Sequence, residues 1–168
     1  IYYGGADTVA CVASVNLETL LNEMIVNSTR KAEEKNEIPY LTRFSGNPII
    51  TPIEKHEWES KHTLNPAAIY LNDKVHILYR AQGKTGISTL GYASSKDGFH
   101  IETRLDQPVY YPRIEAEKDG CEDPRITKLG QRLYLFYTAF NDGKTHIAMS
   151  SIDEQDFLKN NWNWNEPI

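Results

Sequence analysis

The chain has 168 residues, of which 40% are hydrophobic and 24% charged, and a formal charge of −5 at neutral pH. That length is one ordinary domain, and basic residues scattered on an acidic chain exclude an obvious nucleic-acid surface. No apolar run approaches the ~18 residues of a membrane span, so neither a nucleic acid nor a membrane is expected as a partner.

Residues 1–15 (IYYGGADTVACVASV) read as two short strands. No charged-then-apolar leader stands before them, so a cytoplasmic location is the expectation. The period then changes. Leu17, Leu20, Leu21, Met24 and Ile25 fall on one helical stripe behind Asn16, which suits an N-cap, and predict a short amphipathic helix over 16–25. The charged run NSTRKAEEKNE (27–37) lacks apolar anchors and marks a boundary. The chain divides there into residues 1–26, a linker 27–36, and residues 37–168.

Residues 67–80 predict a hairpin, AAIYL and VHILYR around a turn at Asn72-Asp73-Lys74, since Asn and Asp tolerate left-handed backbone. STLGYASS (88–95) and FHIETRL (99–105) follow as further strands. A second copy comes after them. RITKL turns at Gly130-Gln131 into RLYLFYTAF, and Asn141-Asp142-Gly143-Lys144 turns into HIAMSSI. Pro66 to Pro124 and Ala81 to Ala139 are both 58 residues, which puts Asn65 and Asp123 at equivalent places in two copies of one unit. Short strands at regular spacing mean an all-β chain, and four-stranded units at this period mean propeller blades. A carboxylate, an amide and an arginine at matching points of such a repeat predict polar side chains converging on a common axis, the way a propeller builds a sugar site.

Asn65-Pro66-Ala67-Ala68, Leu78-Tyr79-Arg80-Ala81, Gly91 to Phe99 (GYASSKDGF) and Gly120-Cys121-Glu122-Asp123-Pro124-Arg125 together resemble glycoside hydrolase family 130. Tyr2 to Thr8 (YYGGADT) and the Leu-rich helix resemble that family's C-terminal end, here placed before its N-terminal motifs. The resemblance implies part of a five-bladed β-propeller, seen across a junction of two copies or as a partial segment. It implies inverting phosphorolysis of β-mannosides to mannose 1-phosphate, with a β-mannoside oligosaccharide and inorganic phosphate as partners and no other cofactor. A β-mannosidase of the same fold and a non-catalytic glycan-binding module stay open beside it, as does a homo-oligomer.

The resemblance makes Asp123 the general acid, acting through a sugar hydroxyl. It makes Asn65, Arg80 and Asp7 sugar contacts, with Glu122 and Arg125 as further substrate-binding candidates. Inverting hydrolysis needs a second carboxylate to activate water, whereas phosphate is already a competent nucleophile. If 121–125 were extended, Asp123 and Arg125 would share a face and Glu122 would point away. Simpler roles compete: a turn-capping Asp123, an interblade salt bridge at Arg80, and wedge packing for Trp58, Trp162 and Trp164. The five histidines show no metal spacing, so no metal is expected, and Cys11 and Cys121 read as buried thiols. Two repeats are too few to close a ring, so an exposed apolar face is expected.

Overall fold

The computed structural model describes residues 1–6, 8–29 and 41–168. The expected 27–36 linker falls largely outside the described residues. Three antiparallel sheets follow one another. The first is formed by β1 (Tyr2–Gly5), β2 (Val9–Ser14) and β3 (Thr42–Arg43) in the order β1-β2-β3. The helix α1 (Leu17–Thr29) lies between β2 and β3 in the chain, capped by Asn16, whose Oδ1 accepts from the Thr19 amide at 2.9 Å. It runs past the expected end at 25, to Thr29.

The second sheet holds β4 (His62–Leu71), β5 (Lys74–Gln82), β6 (Ser88–Ser95) and β7 (Thr103–Arg104). The third holds β8 (Gly120–Leu129), β9 (Arg132–Asn141) and β10 (Lys144–Asp153), with residues 165–168 bonded alongside β10 through Met149 and Ser151. One parallel bridge, Ser88 to Gly120, joins these two sheets. The turns are those the sequence asks for: Asn72-Asp73 and Asp142-Gly143 both carry positive φ at two successive residues. The segment 99–105 departs from expectation, since only Thr103–Arg104 pairs, with Ser94 and Ala93. Asp97 ends β6 in a side-chain-capped turn instead, accepting from the amides of Phe99 and His100. A short helix α2 (Glu154–Leu158), capped by Asp153, buries Phe157.

β5 explains the layering. Alternate side chains face opposite ways in a strand, and here both faces are covered. Ile77, Tyr79 and Ala81 pack with Ala10 of the first sheet and with Ile50, which bridges to Ala10. Leu78 packs with Leu133, Leu135 and Tyr137 of the third. β9 repeats the pattern 58 residues on, with Leu135, Tyr137 and Ala139 facing the second sheet. Its other face is open: Phe136, the counterpart of the 1% exposed Leu78, is 40% exposed, and Ile147 beside it is 87% exposed. The tryptophans pack. Trp164 lies in the core with Trp162 against it, and Trp58 stacks between His56 and Tyr79.

A fully buried carboxylate ties the loop before each of the second and third sheets to the strands that follow. Glu59 accepts from Tyr79 Oη at 2.8 Å and Arg104 Nη2 at 2.5 Å. Glu117, at the same repeat position, accepts from Tyr137 Oη, from Tyr110 Oη at 3.3 Å and from the Arg113 amide at 2.7 Å. Burial, reinforced by Glu117, pushes the Tyr137 phenol far above its ordinary range, so it stays a donor. A buried carboxylate deprived of one donor keeps its desolvation penalty. Tyr137→Phe is therefore expected to cost about 1–3 kcal/mol, read as a lower midpoint in urea unfolding. An unchanged midpoint would mean that the remaining donors satisfy Glu117.

His76 is also buried, with Nδ1 2.7 Å from Tyr92 Oη and Nε2 3.1 Å from the Leu71 carbonyl. Burial, and secondarily Lys74, lowers its pKa below the ordinary 6.5 despite the bond to Leu71. Below that pH the unfolded chain takes up a proton that the folded chain resists, so stability falls as pH drops through about 6.5. Melting temperature followed from pH 7.5 downward should show this slope. His76→Gln should flatten it, and an identical slope in the variant would assign it elsewhere.

Candidate active site

The two positions that the repeat makes equivalent meet in space. Asn65 Nδ2 donates to Asp123 Oδ1 at 2.7 Å. Both residues sit in bulges at the same register, between Leu64 and Ala67 in β4 and between Glu122 and Arg125 in β8. Both have left-handed backbone, φ 46° at Asn65 and 51° at Asp123, a conformation that Asn and Asp adopt more readily than other side chains. A bulge interrupts strand alternation and re-aims its side chain. Here it turns one polar group from each repeat toward the other.

The bulge also overturns the extended reading of 121–125. Asp123 and Arg125 do not act as a pair. Arg125 is exposed and its Nη1 donates to the adjacent Pro124 carbonyl at 3.0 Å. Glu122, expected to point away, joins the cluster. Arg80 Nη2 reaches Glu122 Oε1 at 2.5 Å, and Arg80 Nη1 lies 3.4 Å from Asp123 Oδ1. Arg80 thus forms the ion pair between sheets that its simpler reading proposed, and one of its two partners is Asp123. Both donors converge on Oδ1. Among the described residues Oδ2 of Asp123 has no hydrogen-bond partner, and the side chain is 41% exposed. Asp7 lies outside the described residues.

Two contributors were missed in the sequence. Ser88 accepts from Arg80 Nε at 3.1 Å and donates to Glu122 Oε1 at 3.0 Å. Gly120 brings Ser88 within reach of β8, since a Cβ at Gly120 would lie 2.9 Å from that of Ser88. The signal for Gly120 was present in the Gly-Cys-Glu-Asp-Pro-Arg stretch, as a glycine where another chain approaches closely. Gly4 does the same on the other side, where a Cβ would lie 2.7 Å from Asn65 Oδ1. Neighbouring Cys121 is buried and unpaired, and burial pushes its thiol far above the usual range, so it packs as an inert group. No three His, Cys, Asp or Glu groups among the described residues form a metal cluster, and no described helix is long and apolar enough to cross a membrane.

An acid, an amide and an arginine at the meeting edge of two β repeats form a polar cluster suited to sugar hydroxyls. The family described as beta-1,4-mannooligosaccharide phosphorylase matches residues 30–160, and the chain belongs to it, glycoside hydrolase family 130. A Beta-1,2-mannobiose phosphorylase from Thermoanaerobacter sp. (strain X514) is 42% identical over 113 residues, covering 60% of this chain and 37% of that protein. A 1,2-beta-oligomannan phosphorylase from the same strain is 45% identical over 109 residues, covering 61% and 36%. The chain thus spans little more than a third of the length of these curated relatives.

Among solved structures, a glycosyl hydrolase from Bacteroides ovatus superposes with TM-score 0.64 at 34% identity, over 72% of this chain and 38% of that one. A second structure is described as showing that the mannoside phosphorylase family contains glycoside hydrolases that target β-1,2 mannosidic linkages in Candida mannan. It gives TM-score 0.66 at 33% identity, over 79% and 43%.

Gly120→Ala should push Ser88 from β8, since overpacking costs about 1–3 kcal/mol. The expected result is a lowered melting temperature. An alanine variant with native stability would remove the close approach from the site's construction.

Proposed function

We propose that this chain supplies part of the active site of an inverting β-mannoside phosphorylase that releases mannose 1-phosphate, with inorganic phosphate as co-substrate and no other cofactor. The observation that carries the reading is the convergence of Asn65 and Arg80 on one oxygen of Asp123, in a chain of this family whose relatives are named as mannobiose and oligomannan phosphorylases. Asp123 is the acid. With Oδ1 occupied, Oδ2 carries the proton, which passes through a sugar hydroxyl to the departing glycosidic oxygen. A phosphate oxygen attacks the anomeric carbon from the opposite face as that bond breaks. Asn65 and Arg80 contact the sugar, and Asp7 contributes from the first segment. Arg125, exposed beside the cluster, is kept as an outer substrate contact.

Phosphorolysis is favoured over hydrolysis by the relatives, which are named as mannobiose and oligomannan phosphorylases.

The architecture proposed with it is a five-bladed propeller, with the second and third sheets as successive blades. Residues 1–26 are the end of one propeller domain, 27–36 a linker and 37–168 the start of the next. β3 from the second part completes β1 and β2 from the first, so the two parts share one sheet. The open face at Phe136 and Ile147 supports a further blade there, since the equivalent face at Leu78 is covered by one.

The test is turnover of β-1,2-mannobiose with and without phosphate in the complete protein that carries these residues. Phosphate-dependent release of mannose 1-phosphate is expected, falling about 10²–10⁴-fold in Asp123→Asn. Equal turnover in phosphate-free buffer would favour the hydrolase, and an undiminished variant would remove Asp123 as the acid.

A further inference from the structure

Glu122 breaks the repeat. Its counterpart 58 residues earlier is Leu64, a buried apolar side chain paired with Arg80 across the strands of its own sheet. A carboxylate in a leucine's place has a desolvation cost that only a specific partner offsets. Glu122 is paired in its own sheet with Thr138, yet its carboxylate crosses the seam to Arg80. Ser88 closes a triangle, accepting from Arg80 Nε and donating to the same Oε1 that receives Arg80 Nη2. The guanidinium is thereby fixed at two of its three nitrogens, and the third, Nη1, is turned to Asp123.

Glu122 and Arg80 are exposed to a similar degree, 16% and 21%, and Asp123 more, at 41%. Both contacts of Glu122, from Arg80 and Ser88, fall on Oε1.

We infer that Glu122, with Ser88, is a positioning residue that fixes Arg80 against the acid Asp123, rather than a residue that binds the sugar itself. This rests on the phosphorylase reading for its consequence in turnover, but the positioning itself is independent of that reading. Arg held in one plane presents its donors with less entropy lost on each encounter. Released from Glu122 and Ser88, it would sample positions away from Oδ1 of Asp123.

A double-mutant cycle in the complete protein tests it. Glu122→Ala, Arg80→Ala and the double variant are compared with the parent in kcat/KM for phosphorolysis of β-1,2-mannobiose. Affinity for the same disaccharide without phosphate is measured on all four, so that the cycle closes where turnover is below detection. Glu122→Ala is expected to cost about 10–100-fold, as outer partners of a functional group do, and no more than about twofold once Arg80 is gone. Glu122→Gln, which still accepts from Arg80 and Ser88, should recover part of the loss. Equal losses in both backgrounds would make Glu122 a direct sugar contact and overturn the inference, as would no loss in either.

A readout without substrate separates the two readings. The Arg80 guanidinium should give a slowly exchanging nitrogen resonance in the parent and in Asp123→Asn, lost in Glu122→Ala. Persistence in Glu122→Ala overturns the positioning role whatever the protein catalyses. Its loss alongside a catalytically inert parent would sustain the positioning and sink the phosphorylase.

Discussion

Two carboxylates removed from water, Glu59 and Glu117, set the spacing on which the rest of the structure depends. Apolar contact between stacked sheets is non-directional and supplies no specific partner for any one atom. A buried charge needs such partners, since it must keep its donors or bear several kcal/mol of desolvation. Glu59 is met by Tyr79 and Arg104, and Glu117 by Tyr137, Tyr110 and the Arg113 amide. In both cases the tyrosine comes from the strand at the centre of its sheet, β5 or β9, so that strand is tied to the loop that leads into the sheet.

In the site, Asn65 and Asp123 start from equivalent positions, and the left-handed bulge in each strand turns them toward a shared edge. Neither bulge is demanded by strand pairing. Each interrupts a ladder that is regular on both sides of it, which is the usual sign that the local conformation serves a site. Glycines then remove the side chains that would keep the walls apart, Gly4 against Asn65 and Gly120 against Ser88. Repeat symmetry supplies the frame, and departures from it supply the chemistry: Asp for Asn at the bulge, and Glu for Leu just before it.

Much of this frame was legible as period and turn chemistry. The hairpins turned where Asn-Asp and Asp-Gly stand, because those pairs accept positive φ at two successive residues, and Asn16 capped the helix for the reason N-caps exist. The equivalence of Asn65 and Asp123 followed from the interval between the prolines after them. The same interval also relates Glu59 to Glu117 and Tyr79 to Tyr137, and went unread because a glutamate and a tyrosine are each ordinary surface residues until their partners are known. The alternation rule failed at 121–125 for a physical reason. It presumes extended backbone, and one left-handed residue exchanges the partners of Glu122 and Arg125. Residues 99–105 failed likewise: their apolar alternation suits a strand, but the Asp97 side chain takes up the Phe99 and His100 amides and holds the chain in a turn until Thr103.

Charge accounting ties the proposed chemistry to this geometry. With Asp123 protonated on Oδ2, the cluster reduces to Arg80 and Glu122, a neutral pair, with Asn65 and Ser88 adding dipoles but no charge. Such an edge suits an uncharged sugar and lets a proton leave Asp123 as phosphate loses charge to the new bond. It does not by itself attract an anion. Were Glu122 a leucine like its counterpart Leu64, Arg80 would keep only Ser88 and Asp123 as side-chain partners. The carboxylate in the leucine's place thus compensates the charge of the arginine as well as orienting it.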